Sequence, residues 1–543
     1  MSTIDWIILF STLISIIIYG IYKSRTTKNL EGYFLSNRNL PWYMVLLSIM
    51  GTQASAITFL SAPGQAYTDG MRFVQYYFGL PLAMVVICIF FVPVFRQLKV
   101  YTAYEFLENR FDAKTRTFTT ALFLISRGLS TGISIYAPSI IISSLLGWNI
   151  YYTNLITGGF LIIYTMSGGA KAVAHTQKLQ LIIIITGMFL AGYLVVKLLP
   201  AGIGFTEALQ TAGEQGRMNI ITTGTTNGHF DWKDKYNIWS GLIGGFFLAL
   251  SYFGTDHSQV GRYLTGKNEK ESKVGLLMNG LVKIPMQFLI LLVGVLVFSF
   301  YQFNKAPVYF DQARVAIAKQ TPYRDSLIRI EEQYEALSTI SYASTAAIRA
   351  EYKAVLKKAI PGEDANDTNF IFLYFVKKNL PKGLVGLLIA VIFLAAWGSI
   401  AAALNSLAAC TVVDMHKKYI NKSCTEEEDY NLAKWYTFGW GIFSIAVAMF
   451  AHNLGNSLIE AVNILGSLFY GVILGIFLVA FWIKRVKGNA VFIAALVSEL
   501  LVIMIYQMDI VSFLWLNVIG ALLVIILSTM IQIALYLFNK KKV

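Results

Sequence analysis

Residues 48–58 read SIMGTQASAIT, and residues 61–64 follow with SAPG. These small, polar and helix-breaking residues lie inside an apolar segment, residues 42–66, that is long enough to cross a lipid bilayer. In lipid an unpaired backbone amide or carbonyl costs several kcal/mol, so a broken helix persists only where it faces protein, water or a ligand. The stretch therefore predicts an interrupted membrane helix beside a binding site.

A matching interruption occurs at residues 251–259, which read SYFGTDHSQ inside the apolar segment 239–262. The chain has thirteen apolar segments, and the interrupted ones are the second and the seventh. Two groups of five segments, each opening with a broken helix, are typical of secondary transporters built from an inverted repeat. We therefore expect an all-α polytopic membrane protein with about 13 transmembrane helices, a 5+5 inverted repeat, and broken first and sixth core helices. Alternatively, the small residues only permit close helix packing.

The predicted spans form one membrane transport domain over the whole chain. Residues 5–22 are predicted to be an accessory helix, 42–198 the first repeat, 239–506 the core of the second repeat, and 510–536 a C-terminal accessory helix. The thirteen spans are residues 5–22, 42–66, 73–95, 118–146, 150–167, 176–198, 239–262, 274–302, 383–416, 431–452, 456–482, 487–506 and 510–536.

Lys and Arg residues in the short loops assign the two sides of the membrane. The loops that follow odd-numbered spans are basic, and they include Arg25, Lys28, Arg96, Lys99, Lys171, Lys267, Lys270, Lys417, Lys422, Lys484 and Lys541. Short loops after even-numbered spans, at residues 147–149, 452–455 and 507–509, contain neither Lys nor Arg. We therefore expect a multi-pass protein of the plasma membrane, or of the inner membrane in a bacterium, with its N-terminus outside and its C-terminus in the cytoplasm.

Two predicted outer connections are long. Residues 199–238 are rich in Gly, Thr and Asn, and we expect little helix in them. Residues 303–382 include a stretch with Arg, Glu, Ala and Leu at helical spacing, so an extracellular helical insertion is expected there. Neither connection is long enough for an independent catalytic domain, so we expect no enzyme activity.

The composition, with 56% hydrophobic and only 14% charged residues, fits a chain surrounded by lipid. The formal net charge of +14 comes from basic residues at the inner ends of spans, so the lipid bilayer is the expected partner and nucleic acid is not. Cys88, Cys410 and Cys424 are too few for a disulfide framework or a zinc site. These features leave the oligomeric state open.

Several ordered motifs resemble the sodium/solute symporter family, which includes the sodium/glucose cotransporters. They are NLEGYFLSNRNLPW at residues 29–42, SGG at 167–169, YFGTD at 252–256 continuing to Arg262, and LNS at 404–406. The resemblance implies a leucine-transporter-type fold with alternating access. It also implies symport of a small polar organic solute, such as a sugar, polyol or carboxylate, driven by a sodium gradient. A channel is the alternative class, but no repeated filter of carbonyls or charges is visible.

The same resemblance implies a sodium site with one ligand missing. The backbone carbonyl ligands of the family fall on Gly51, Ala54 and Ala395, and Ser399 supplies one of two expected hydroxyls. Gly398 stands where the second hydroxyl would be, although sodium prefers oxygen ligands.

Gln177, followed by Lys178, replaces an acid that the family has at this point of its fifth core helix. In one interpretation Lys178 extends to the membrane surface and Gln177 keeps a hydrogen bond beside a working sodium site. In the other, the Lys178 ammonium replaces the sodium ion, which makes transport proton-linked or sodium-independent.

The resemblance also assigns the solute site. Tyr252 matches the inner gate tyrosine, and Tyr76 matches an aromatic residue beside the solute. The galactose-transporting members have Gln, Glu, Asn, Lys and Gln at the positions of Thr58, Tyr77, Ala249, Leu281 and Val462. A pocket that binds sugar hydroxyls needs several paired donors and acceptors, so binding of a sugar in that pose is not expected.

Arg127 is a further candidate for solute binding. It shares one helical face with Ser130, Thr131 and Ser134 because these residues follow i, i+3, i+4, i+7 spacing. An arginine inside a membrane span is costly and indicates a functional site, with a solute carboxylate or Asp256 as its partner. Alternatively, Arg127 lies at the interface and pairs with a loop or a lipid phosphate.

Overall fold

The structure, a computed structural model, describes residues 1–24, 30–337, 342–361, 365–421, 425–453 and 457–540. Some residues named from the sequence lie outside these ranges, namely Arg25, Lys28, Asn29, Lys422, Cys424, residues 454–456 and Lys541.

Helices make up most of the first half of the described chain. They are α1 (Thr3–Ser24), α2 (Leu30–Leu35), α3 (Trp42–Gln53), α4 (Ala56–Asp69), α5 (Leu80–Val86), α6 (Val92–Gln97), α7 (Glu105–Arg110), α8 (Ala113–Leu146), α9 (Ile150–Lys197), α10 (Phe205–Glu214), α11 (Gly245–Gly254) and α12 (His257–Leu264). A small antiparallel hairpin precedes α11, with β1 (Thr225–Thr226) paired to β2 (His229–Phe230).

The second half is also helical. It consists of α13 (Glu269–Phe303), α14 (Gln312–Ala318), α15 (Arg324–Glu335), α16 (Tyr342–Ala359), α17 (Thr368–Asn379), α18 (Leu384–Cys410), α19 (Lys417–Tyr419), α20 (Glu426–Ala448), α21 (Leu458–Trp482), α22 (Gly488–Gln507) and α23 (Phe513–Lys540). Short 3-10 or π-helical segments occur at Ser36–Arg38, Gly70–Tyr77, Ile87–Phe91, Ser240–Gly244, Thr411–His416 and Ala451–Asn453. Polar side chains cap the first amide groups of several long helices, namely Asp112, Asn149, Asn268, Thr425 and Ser457.

Among the described residues, nine helices are long and apolar enough to cross a membrane. They are Thr3–Gly20, Ala56–Gln97, Ala113–Leu146, Val173–Lys197, Glu269–Phe303, Leu384–Tyr419, Leu458–Trp482, Gly488–Gln507 and Phe513–Phe538. The chain is therefore a multi-pass membrane protein, although this set is smaller than the predicted thirteen. Four predicted spans, 42–66, 150–167, 239–262 and 431–452, do not form separate members of this set, although Ala56–Gln97 includes the second half of 42–66.

Two of these four spans are the interrupted ones. Helix α3 ends at Gln53 and α4 begins at Ala56, and the Ser55 amide donates to the Gln53 carbonyl instead of the Gly51 carbonyl of a regular helix. Helix α11 likewise ends at Gly254, and α12 begins at His257. Both breaks lie within the stretches that the sequence singled out.

The SAPG sequence does not break the helix. Helix α4 continues through Pro63, and a Cβ atom added to Gly64 would lie 2.0 Å from the Thr368 carbonyl oxygen on α17. Gly64 is therefore required for close packing of α4 against α17. At this position the small residue permits helix packing and does not interrupt the helix.

The inner loop expected around Lys171 is helical instead, because α9 runs without interruption from Ile150 to Lys197. It is nevertheless bent. Tyr164 Oη and Thr176 Oγ1 lie 2.8 Å apart, whereas twelve residues of straight helix rise by about 18 Å. Gly168 and Gly169 lie between them, and adjacent small residues are common at sharp kinks. The bend divides α9 into two arms that correspond to the predicted spans 150–167 and 176–198.

The two long connections differ in helix content. Residues 199–238 include one ten-residue helix, α10, and are otherwise mostly non-helical, in line with the expectation of little helix there. Helices α14 to α17 lie in the predicted insertion, and α14 to α16 with the residues just before them form a hydrophobic cluster of their own, which includes Tyr309, Leu327, Ile330, Tyr334 and Tyr352. Helix α17 connects the insertion to the membrane part, because the Asn369 side-chain oxygen accepts the amide of Leu458 at the start of α21.

Candidate functional site

A cavity of about 150 Å³ lies between the two helix breaks. Gln53 and Ser55 line it at the first break, and Tyr252 and Phe253 line it just before the second. The sequence-predicted solute residues on its wall are Thr58, Tyr76, Tyr77, Arg127, Ser130 and Tyr252. Asp256 is not part of the wall and lies behind Arg127.

Helix α8 contributes one polar face to the cavity. Arg127, Ser130, Thr131 and Ser134 all line it, as their helical spacing predicts. The hydroxyls of Thr131 and Ser134 donate to carbonyls one turn earlier, at 2.6 and 2.9 Å. Each hydroxyl oxygen therefore keeps lone pairs that can accept a hydrogen bond from a solute.

Arg127 is buried and pairs with Asp256, so it does not lie at the lipid interface. Its Nη1 lies 3.8 Å from Asp256 Oδ2, and its guanidinium carbon lies 5.7 Å from the Tyr252 ring centroid. Asp256 also accepts hydrogen bonds from Tyr470 Oη at 2.8 Å and from the Ser258 amide at 2.7 Å. Asp256 is thus a helix cap and an ion-pair partner at once, while Arg127 Nε keeps an unused donor.

Tyr252 connects the two halves of the second broken helix. Its hydroxyl accepts a hydrogen bond from Gln259 Nε2 at 2.7 Å, so α11 and α12 are joined across the break. Tyr76 lies on the other side of the cavity and donates from its hydroxyl to Asn463 Oδ1 at 3.0 Å. Both rings therefore have fixed orientations against the cavity.

Lys283 on α13 is a cavity residue that the sequence argument missed. It is only 2% exposed, and its Nζ lies 5.5 Å from the centroid of the Tyr77 ring. No ion pair of the described residues includes it. An ammonium inside a membrane span is itself a signal of a site, and this signal was available in the sequence.

Leu281 does not occupy the lysine position that the family comparison gave it. It is 62% exposed and points away from the cavity, whereas Lys283 two residues later lines the wall. Residues two apart on a helix point in nearly opposite directions. A shift of two positions in matching this sequence to the family pattern therefore assigns the outward-facing Leu281 in place of the cavity residue Lys283. Thr58, Tyr77, Ala249 and Val462 do line the cavity, as expected.

The residues proposed to hold sodium lie where α3 meets α18. The Gly51 carbonyl has lost its helical partner at the break, and the Ser399 hydroxyl lies on the cavity wall and donates to the Ala395 carbonyl at 3.0 Å. Ala54 and Ala395 are buried beside them. This donor set consists of oxygens, which fits a hard cation such as sodium.

Gln177 joins the same two helices. Its side-chain Nε2 donates to Thr52 Oγ1 at 3.3 Å and to the Gly398 carbonyl at 3.2 Å, and its Oε1 accepts from Ser48 Oγ at 3.0 Å. The amide thereby ties α9 to α3 and α18. A neutral group with three hydrogen bonds occupies the position where the family has an acid.

Lys178 does not reach this position, which corrects the alternative in which its ammonium replaces the ion. Its side chain is exposed, and its Nζ lies 6.0 Å from the centroid of the Tyr43 ring. Consecutive helical residues differ by about 100° in direction. Because Gln177 points inward between α3 and α18, Lys178 must point elsewhere.

Comparisons with known proteins agree over most of the chain. The sequence model of the sodium:solute symporter family matches residues 33–323 and 336–498. The sodium/sialic acid symporter of Proteus mirabilis is 25% identical over 532 residues, which cover 97% of this chain and 94% of that protein. The sodium/glucose cotransporter of Vibrio parahaemolyticus is 25% identical over 507 residues, covering 90% of this chain and 83% of that protein.

Two further similarities differ in extent. The human sodium/iodide cotransporter is 31% identical over 274 residues, which cover 50% of this chain and 41% of that protein. A solved structure of a Na⁺-coupled sialic acid symporter, in a substrate-bound outward-open state, matches with a TM-score of 0.78 at 24% identity and covers 98% of both chains. The latter shows that the two chains share a fold.

Proposed function

The chain belongs to the sodium:solute symporter family, and from this premise we propose that it carries a small polar organic solute across the membrane by alternating access. Sodium is the coupling ion. The solute passes through the cavity between the two broken helices, because this cavity is where unpaired backbone groups and buried polar side chains meet. Membership of a symporter family disfavours the channel alternative.

Among sugars, polyols and carboxylates, the charge of the cavity favours a carboxylate. Arg127 and Lys283 bring two positive charges to the wall, and Asp256 balances only one of them. An unbalanced charge inside a membrane protein is costly unless a ligand neutralises it. Two relatives by name carry acids, the sodium/sialic acid symporter and the sodium-coupled monocarboxylate transporter of Xenopus laevis.

The observation that carries this proposal is the position of Lys283. Arg127 already has a carboxylate partner, whereas the Lys283 ammonium faces the cavity beside the Tyr77 ring. We assign Lys283 to the solute carboxylate. The hydroxyl face of Ser130, Thr131 and Ser134 then binds the polar body of the solute.

Uptake into proteoliposomes tests the proposal. Purified protein is assayed with labelled monocarboxylates, sugar acids and neutral sugars, in sodium and in choline. We expect sodium-dependent uptake of at least one carboxylate, and a loss of at least about tenfold in its apparent affinity in Lys283→Gln, because a charged hydrogen bond of roughly 1.5–3 kcal/mol is lost. Leu281→Ala, two residues away and outside the cavity, is the matched control. Uptake of a neutral sugar with no competition by carboxylates would contradict the proposal.

We also propose how sodium and the fold contribute. The carbonyls of Gly51, Ala54 and Ala395 and the hydroxyl of Ser399 are the sodium ligands, and sodium bound there would hold α3 against α18. The ends of the chain lie on opposite sides, with the N-terminus outside. The repeats comprise residues 42–198 and 239–506, and the insertion 303–382 faces outward.

A further inference from the structure

A second cavity, of about 430 Å³, lies at the end of the molecule where α3 begins. It is lined by the turn before α3, by Tyr43 near the start of α3, by Tyr19 on α1, and by His175 and Lys178 on α9. The solute cavity shares no wall residue with it. The loops that carry the basic residues are at this end, so the loop-charge rule assigns the cavity to the cytoplasmic side.

The charge on its wall comes from Lys178. None of the described wall residues is Asp or Glu, and no ion pair in the described part of the chain includes Lys178. Its ammonium lies beside the Tyr43 ring, 6.0 Å from the centroid. The same lysine stands out in the sequence as an added positive charge, and neither sodium nor solute binding makes use of it.

Polar residues of the turn before α3 line the same cavity as Lys178. Ser36 is only 5% exposed and lines the cavity, yet its hydroxyl has no hydrogen-bond partner among the described residues. Asn37 and Asn39 add side-chain amides to the wall. A buried hydroxyl without a partner is costly, so its presence on a cavity wall indicates a ligand that accepts or donates a hydrogen bond.

We propose that this cavity binds the phosphate group of a ligand, either the head group of an inner-leaflet phospholipid or a soluble phosphate. Lys178 supplies the positive charge, and the Ser36 hydroxyl and the asparagine amides donate hydrogen bonds to phosphate oxygens. Lys178 lies at the inner end of its span, the depth at which lipid phosphates are found. The ligand would touch the start of α3 and so stabilise the inner half of the first broken helix.

Thermal unfolding of the full-length protein in maltoside micelles tests this inference without any transport assay. One arm adds inorganic phosphate at constant ionic strength. A second adds short-chain phosphatidylglycerol, with diacylglycerol of the same chain length as the phosphate-free control. A ligand that binds only the folded state raises the melting temperature with its concentration, which gives an apparent Kd. We expect saturable stabilisation in at least one of the first two arms, and none by diacylglycerol.

Three variants identify the site. Lys178→Gln is expected to raise the apparent Kd at least tenfold, because the charge is lost while the exposed side chain leaves the core unchanged. Ser36→Ala is expected to raise it less, since one hydrogen bond is lost. Lys197→Gln is the control: Lys197 is on the same helix and also lies 6.0 Å from a tyrosine ring centroid, at the opposite end.

The outcomes separate the two sources of phosphate. If only phosphatidylglycerol stabilises the protein, the ligand of this cavity is a lipid head group. If inorganic phosphate stabilises it, with or without an effect of the lipid, the cavity binds the phosphate group itself. Equal stabilisation by diacylglycerol would overturn the inference. A wild-type Kd in Lys178→Gln, or no stabilisation in either arm, would also overturn it. None of these results depends on the solute or on sodium coupling.

Discussion

At the scale of single residues, two neighbours on α9 have opposite surroundings. Gln177 is fully buried and bonded to α3 and α18, whereas Lys178 is exposed beside Tyr43. The sequence alone left open which of them reaches the ion site. The structure decides this because a helix turns by about 100° per residue.

Removal of Lys178 is therefore expected to leave sodium coupling intact. In Lys178→Gln, uptake of the identified solute should remain dependent on sodium at both pH 6 and pH 8. In Gln177→Leu, three hydrogen bonds that hold α3 and α18 are lost, so sodium-free counterflow should increase. Sodium-independent uptake by the wild-type protein would contradict this assignment.

Ser399 is expected to act through sodium affinity. In Ser399→Ala the sodium concentration for half-maximal uptake should rise about fivefold, because one ligand worth roughly 1 kcal/mol is lost. Ser406→Ala is the matched control, since Ser406 is on the same helix, is buried, and donates to a carbonyl one turn earlier at 2.8 Å. Sodium activation curves measure both. Identical curves for Ser399→Ala and Ser406→Ala would remove Ser399 from the site.

At the scale of elements, the break between α11 and α12 determines how the gate residue is held. Tyr252 precedes the break and Gln259 follows it, and their side chains are bonded. The side chain of Tyr252 thus links two helices, α11 and α12, whose backbone hydrogen bonds do not continue across the break. Any rotation of α12 relative to α11 changes the position of this ring.

Two substitutions separate the ring of Tyr252 from its hydroxyl. Tyr252→Ala should raise the KM for the solute about tenfold, because the aromatic contact area is lost. Tyr252→Phe keeps the ring and loses the hydroxyl with its bond to Gln259 and its interaction with Arg127, so its KM should change about threefold or less. Both proteins should insert into membranes normally, as measured by surface labelling. Equal KM values for Ala and Phe would show that the ring does not contact the solute.

The insertion is a second element with its own chemistry. Asp311 caps α14, where its Oδ1 accepts the Arg314 amide at 3.2 Å. Burial raises the pKa of this carboxyl from 3.8 to about 6. The folded state therefore binds the proton more tightly than the unfolded state, and the stability of the insertion falls as pH rises from about 4 to 6.

Asp311→Asn should stabilise the insertion at neutral pH. An asparagine still caps the helix but avoids the buried charge, and a shift of about two pKa units corresponds to roughly 3 kcal/mol. Hydrogen–deuterium exchange in α14 and α15, corrected for intrinsic rates, should slow at pH 7.5 and change little at pH 4. Asp325→Asn, at an exposed position of α15, is the control. Faster exchange in Asp311→Asn than in wild type at pH 7.5 would contradict the prediction.

At the scale of the whole molecule, the topology remains a prediction from loop charges. In a cysteine-free background, Ser2→Cys should react with an impermeant maleimide in intact cells, and a cysteine in place of Lys540 should react only after permeabilisation. Reaction of both from the same side would contradict opposite locations of the two ends.

Long-range contacts also fix the accessory helix. Asp5 near the start of α1 accepts the amides of Gly383 and Gly386 at 2.6 and 3.2 Å, and so caps α18 from 378 residues away. The sequence predicted α1 as a span but could not predict this cap. An acid in the first turn of a helix has many potential partners, and only the folded chain selects one.

The sequence by itself determined the membrane class, the family and the location of both helix breaks, because apolar length and helix-breaking residues act locally. It also determined the polar face of α8, since helical periodicity fixes which residues share a face. Only the tertiary structure shows that Lys283 rather than Leu281 lines the cavity. It also shows that Gln177 is buried at the ion site while Lys178 is exposed, and that α9 bends without an intervening loop. Each of these depends on the direction in which a helix face points once neighbouring helices pack against it, and no local pattern contains that information.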